Sequence, residues 1–366
     1  MLISRRAFLR AAGAGFTAML SPSALGAVEA ADAVYATAFQ RRDGTYGVGI
    51  LSEDRQLLFT APLPDRGHDV TFDPVSRRAV VFARRPGTFA VVFDHVSERA
   101  PLTITSVEGR HFFGHGVFSP DGKLLYATEN DFDNAAGMIG VYDATQKFTR
   151  VGEFPTHGMD PHDLLLMADG KTLAIANGGI ETHPDFGRAK LNLATMQPSL
   201  VFLDREHGSL VERHVLPTRL HQLSIRHMDV DGAGIVWFGC QYEGPASDFP
   251  PLVGRAAPGA EFSLIDMPQD ALSSLRNYVG SVTTNREAGT VAVTSPQGNR
   301  LAIIDAATGT MRATQSLTEV CGIAPKGDSF LATSGTGTIL DAAGQRTVMD
   351  DYVWDNHLLR ITQPPA

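Results

Sequence analysis

Short runs rich in Val, Ile, Phe, Leu and Thr recur along the chain, broken by Asp-Gly, Pro-Asp-Gly and Thr-Gly turns. Asp-Gly between apolar runs marks a hairpin, because the turn needs positive φ at its central residues. Helical periodicity is scarce, and the best helix candidate is the short stretch Asp270–Arg276. One unit is complete. Gly114 to Thr128 reads as strand, Pro-Asp-Gly turn, strand; Met138–Asp143 and Phe148–Phe154 supply two more. Four antiparallel strands in about 45 residues make a propeller blade.

The unit repeats. Gly67-His68-Asp69 leads into Arg78–Ala83, Pro161-His162-Asp163 into Thr172–Ala176, and Arg226-His227-Met228-Asp229 into Ile235–Phe238. Val279–Val282 and Val320–Ile323 begin two further units. His68, His115 and His162 are each 47 residues apart, whereas His162 to His227 is 65, which places an insertion there. The inner strands are predicted to start near Tyr46, His68, His115, His162, His227, Gly280 and Val320. Tyr46 to His68 is too short for four strands, so Trp354–Ile361 is expected to join Val34–Gln40 in closing the ring. The predicted fold is an all-β, seven-bladed β-propeller with N- and C-terminal strands sharing a blade. Six or eight blades are the alternatives. A closed ring leaves no free sheet edge.

The first thirty residues stand apart. Ser4-Arg5-Arg6-Ala7-Phe8-Leu9 followed by an Ala/Gly-rich run and Ala24-Leu25-Gly26-Ala27 is the pattern of a twin-arginine signal peptide. Residues 1–30 are expected to be the signal and 31–366 a single propeller domain, with the twin-arginine translocase as export partner and the periplasm as destination. Folded export favours a metal or cofactor loaded in the cytoplasm. The formal charge is −9; residues 1–30 hold three arginines and one glutamate, so the remainder carries −11. An acidic chain without basic clusters argues against nucleic acid and anionic membrane surfaces, and no later apolar run is long enough to span a bilayer. Cys240 and Cys321 form either one bridge or two buried thiols.

The chemistry rests on position within the blade. The first strand of each blade lines the central channel, and His68, His115, His162 and His227 each open such a strand. Four blades would therefore bring an imidazole to one end of the channel. Adjacent strand residues face opposite sides, so Asp69 and Asp163 are expected to bond backbone N–H groups between blades instead. Supporting residues are expected from the approach loops and second strands: Glu129, Asn130, His157, Asn177 and Glu181, with Cys321 as a soft ligand or a core filler. His357, near the C-terminal strand, is a weaker candidate. The long segments Gly178–Pro198 and Tyr242–Pro258 are expected over the histidine face. Convergent imidazoles suit iron, copper or zinc; the bland alternative is one inherited packing histidine per blade.

No Gly-x-Ser-x-Gly elbow, phosphate-binding Gly-x-x-x-x-Gly-Lys-Ser/Thr loop or His-Glu-x-x-His motif occurs. The twin-arginine start, the Gly-His and Pro-His-Asp units and Phe118–Asn130 together resemble the domain-of-unknown-function family 1513 over essentially the whole mature chain. That resemblance implies an exported, propeller-like protein associated with periplasmic iron-uptake proteins, and a role in iron or other metal handling. Three functions follow: a metal-handling protein without turnover, which is preferred; a metal-dependent oxidoreductase or lactonase-like hydrolase using the same histidines; and a scaffold propeller that binds another protein.

Overall fold

The computed structural model describes residues 34–93, 101–260 and 262–361. The proposed signal peptide lies outside them. The described strands form seven antiparallel sheets arranged around one axis. Six are continuous in sequence, with innermost strands Gly67–Phe72, Arg110–Phe118, Pro161–Leu166, Leu223–Val230, Ser281–Asn285 and Val320–Lys326. Each of these inner strands packs against that of the next blade. The helix expected near Asp270 is present at Gln269–Ser274.

Burial follows the layering. The second strands Ala79–Ala83 and Thr290–Ser295 are buried throughout, because sheets cover both their faces. The outermost strands Thr149–Pro155 and Leu210–Val215 are largely solvent-facing. Apolar side chains of neighbouring blades interleave, as where Phe202, Leu223, Trp237 and Val279 share one core. Each such fully buried side chain contributes about 1.5–3 kcal/mol. Among the described residues, no helix is long and apolar enough to cross a membrane.

The seventh blade corrects one expectation. Tyr46–Ser52 is not an inner strand but lies third from the axis; Val34–Arg41 precedes it, and the chain's C-terminus supplies the inner position. Tyr352–Trp354 pairs with Phe39–Arg41, and Leu359–Ile361 pairs with Val34–Ala36. The sequence reading assigned the channel to the first strand in chain order, but the blade is completed from the other end. Asp355–Leu358 bridges the two short inner strands. There Asp355 N–H donates to Ala38 O at 2.9 Å, and Thr37 Oγ1 donates to the His357 carbonyl at 2.7 Å.

Candidate metal centre

Five inner strands carry a register break at matching places: Gly67/Val70, Phe112/Gly116, Pro161/Asp163, Ile225/His227 and Val320/Ile323. A bulge leaves one residue outside the ladder and re-aims its side chain. His68, His115 and His162 lie within these breaks and His227 borders one. In the seventh blade the gap between the two C-terminal strands does the same for His357. Gly114, at φ 106°, permits a close approach of its strand to His68: a Cβ there would lie 2.7 Å from His68 Cδ2.

The result is five imidazoles packed at the axis. Ring centroids of His68 and His357 lie 4.6 Å apart, His115 and His357 4.7 Å, His227 and His357 4.7 Å, and His162 and His227 4.7 Å. His68 and His115 are 5.0 Å apart. Candidate ligand atoms of His68, His115 and His357 fall within 4.8 Å of one another, as do those of His115, His162 and His227. An ion at the centre of such a triangle would sit at most about 2.8 Å from each atom, so sub-ångström ring movements reach the 2.0–2.1 Å of a Zn–N bond.

Partners on the outer nitrogens differentiate the rings. His68 Nδ1 lies 3.1 Å from Asp355 Oδ1, and His115 Nδ1 lies 3.2 Å from Asp163 Oδ1 and 3.5 Å from Asp69 Oδ2. A carboxylate at Nδ1 fixes the proton there and leaves Nε2 to ligate. His162 is different. Arg226 Nη1 donates to its Nδ1 at 3.0 Å, which places the proton on Nε2 and makes His162 the poorest ligand of the five. Both ring nitrogens of His227 and Nε2 of His115 and His357 are buried without a hydrogen-bond partner. Each buried unpaired polar atom costs about 1–3 kcal/mol.

Burial drives the pKa values of His68, His162, His227 and His357 down, so these rings are neutral. Burial opposes charge on His115 too, but the Asp163 and Asp69 carboxylates outweigh it and lift its pKa to about 10, so without an ion the ring is protonated and a cation must displace the Nε2 proton to bind there. Asp355 is also buried, yet its bond to His68 and the charges of Arg84 and Arg66 hold its carboxyl well below the usual range.

Asp69 and Asp163 were expected to face away from the histidines. Asp163 does accept Met228 N–H of the next blade at 2.8 Å, as expected, but its other oxygen meets His115. The bulge breaks the two-residue alternation on which that expectation rested. Asp229 accepts Thr284 N–H of the next blade at 2.7 Å.

Of the other sequence-predicted residues, none joins the cluster. Glu129 is buried within its blade between Tyr142 Oη at 2.5 Å and Arg150 Nη2 at 2.7 Å. Asn130 binds His111 Nε2 at 3.0 Å and Thr182 O at 3.1 Å. Asn177 donates to Thr156 O. His157 is an exposed turn residue at φ 55°, and Glu181 is half-buried in the loop after Asn177. Both cysteines are free and buried. Burial pushes the Cys321 thiol up to about 12, and it packs among Tyr35, Phe39 and Trp354 as core. Cys321→Ala should therefore leave metal stoichiometry unchanged and lower stability by about 1 kcal/mol, measured by metal analysis and urea unfolding.

Sequence reasoning gave His357 too little weight and missed Asp355 and Arg226. His357 and Asp355 lie outside the Gly-His and Pro-His-Asp repeats; the usable signal was a His four residues before the end of the predicted closing strand. Arg226 is fully buried and ion-paired with Asp160 at 2.9 Å, and Arg85 reaches the same carboxylate at 3.3 Å. Arg226→Met leaves Asp160 to Arg85 alone and His162 Nδ1 without its donor, and should cost about 1–3 kcal/mol in denaturant unfolding.

A seven-bladed propeller with a plug of histidines across its axis defines the class. The chain belongs to the family described as "Protein of unknown function (DUF1513)", which matches residues 61–361. No curated protein matches it. Among solved structures, the fold is similar to hydrazine synthase of Kuenenia stuttgartiensis, with a TM-score of 0.59, 16% identity, and 85% of this chain and 94% of that chain covered. It is also similar to AztD of Citrobacter koseri, with a TM-score of 0.53, 12% identity, and 91% and 100% covered. At these identities the likeness concerns the fold alone.

Proposed function

We propose that this protein is an exported metal-handling propeller that holds one transition-metal ion at its axis, on His68, His115 and His357 with His227 beside them. The observation that carries the reading is the convergence of imidazole ligand atoms at the axis, with Nε2 of His115 and His357 buried without partners and with carboxylates at Nδ1 of His68 (Asp355) and of His115 (Asp163 and Asp69). An apolar packing role would not call for carboxylates aligned behind two of the rings. The donor set is imidazole, with no thiolate and with the carboxylates behind the rings; it ranks copper and zinc ahead of iron. The twin-arginine start supports a periplasmic setting. A partnership with periplasmic iron-uptake proteins rests on the family resemblance alone.

Elemental analysis of protein purified from the periplasm, followed by titration with Zn(II), Cu(II) and Fe(II), tests the reading. One equivalent of copper or zinc per chain is expected. Failure to bind any of the three at micromolar concentration would overturn it.

The same site has room for chemistry. A cavity of about 590 Å³ runs inward along the later halves of the inner strands and ends on His115 and His357. A screen of small periplasmic substrates with the loaded protein separates turnover from storage or transfer.

A further inference from the structure

The two ends of the channel differ in charge. At the end where the inner strands begin, Arg66 and Arg84 share Asp355, and Arg85 and Arg226 share Asp160. Arg188, on the long loop after Asn177, adds its positive charge to this group. Five guanidiniums against two carboxylates repel a cation there. At the other end, the 590 Å³ cavity is lined by Asp69, Asp163, Asp229 and Asp231, against Arg286 and the protonated His115 as cations among its lining residues. Its inner end is His115 and His357, each with an unpartnered buried Nε2.

Asp69 differs from its counterparts. Asp163 and Asp229 each accept a backbone N–H from the next blade. Among the described residues, the contact found for Asp69 is His115 Nδ1 at 3.5 Å, and its side chain remains 20% exposed in the cavity. It is thus a partly wet carboxylate with spare lone pairs, between solvent and the histidines.

We infer that a divalent cation reaches and leaves the histidines through this acidic cavity, with Asp69 as the transient ligand at its inner end. This rests on the metal-binding reading and adds its direction. The arginine end, although it carries the long loops, is closed to cations. The site therefore exchanges its ion from the face opposite those loops.

Stopped-flow exchange of Zn(II) with a fluorescent chelator tests this on the full mature chain. Asp69→Asn should slow uptake by about tenfold, the low end of electrostatic steering effects, and should also weaken Kd, because Asp69 backs His115 at Nδ1. Thr71→Lys, which adds a positive charge to the cavity wall away from the histidines, should slow uptake and release together with little change in Kd. Arg188→Glu, on the exposed loop at the other end, should change neither rate. Unchanged rates in both cavity variants, with Zn(II) still bound, would overturn the route while sparing the site. Faster uptake by Arg188→Glu would overturn it in favour of the other end. Wild-type protein that takes up no Zn(II) would remove the site and the route together.

Discussion

His115→Ala abolishes stoichiometric metal binding. Among the five rings His115 has the most neighbours: its centroid lies within 5.8 Å of His68, His162, His227 and His357. It belongs to both triads of candidate ligand atoms, so its loss breaks each. It also leaves Asp163 and Asp69 without their common imidazole. Removing a ligand should cost at least the 10–100-fold in affinity seen when a supporting partner is lost, so binding at micromolar metal should vanish. His162→Ala should weaken binding far less, because Arg226 already occupies its Nδ1. His157→Ala, in an exposed turn, should have no effect. Equilibrium dialysis with metal analysis measures all three. Equal losses from His115→Ala and His162→Ala would contradict the ranking by ring partner.

Trp354→Ala should produce the largest loss of stability and should weaken the metal site as well. Trp354 is fully buried at the closure, stacked on Tyr352 at 5.0 Å and edge-on to Phe39 at 5.9 Å. Phe or Trp to Ala in a core costs about 3–5 kcal/mol, against a total stability of about 5–15 kcal/mol for a domain. The next residue is Asp355, the partner of His68, and two further on is His357. Loosening this segment therefore disturbs two rings. Urea unfolding with and without bound metal checks it. A destabilised variant with full metal affinity would show that closure and site are independent. Deleting residues 350–366 should prevent folding, since Val34–Arg41 would lose its inner partners and the ring would open.

Much of this was legible before the structure. The 47-residue spacing and the Asp-Gly turns express a blade built from local hairpins, so blade number and four of the axial histidines followed from them. Ring closure was seen as a sharing of termini, but which strand takes the inner place depends on pairing between residues some 310 apart, and no local pattern encodes that. For this reason Tyr46 was placed inside and His357 undervalued. The register breaks were also invisible, because a bulge is a property of two strands together. Strict alternation then sent Asp163 away from the channel that its neighbour His162 faces, whereas the structure lets it serve both His115 and the next blade. Glu129 and Asn130 lie at the end of a strand, Leu124–Asp131, that does run back toward the histidine face, but their blade already holds partners for them in Arg150, Tyr142 and His111.

The most direct test of the axial histidines is an X-ray absorption spectrum at the metal edge of the loaded protein. The account predicts three or four nitrogen neighbours at about 2.0–2.1 Å with imidazole outer-shell features, no sulfur at about 2.3 Å, and loss of the signal when His68, His115 and His357 are all replaced by Ala. A sulfur shell, an oxygen-only shell, or an unchanged spectrum in that triple variant would contradict it.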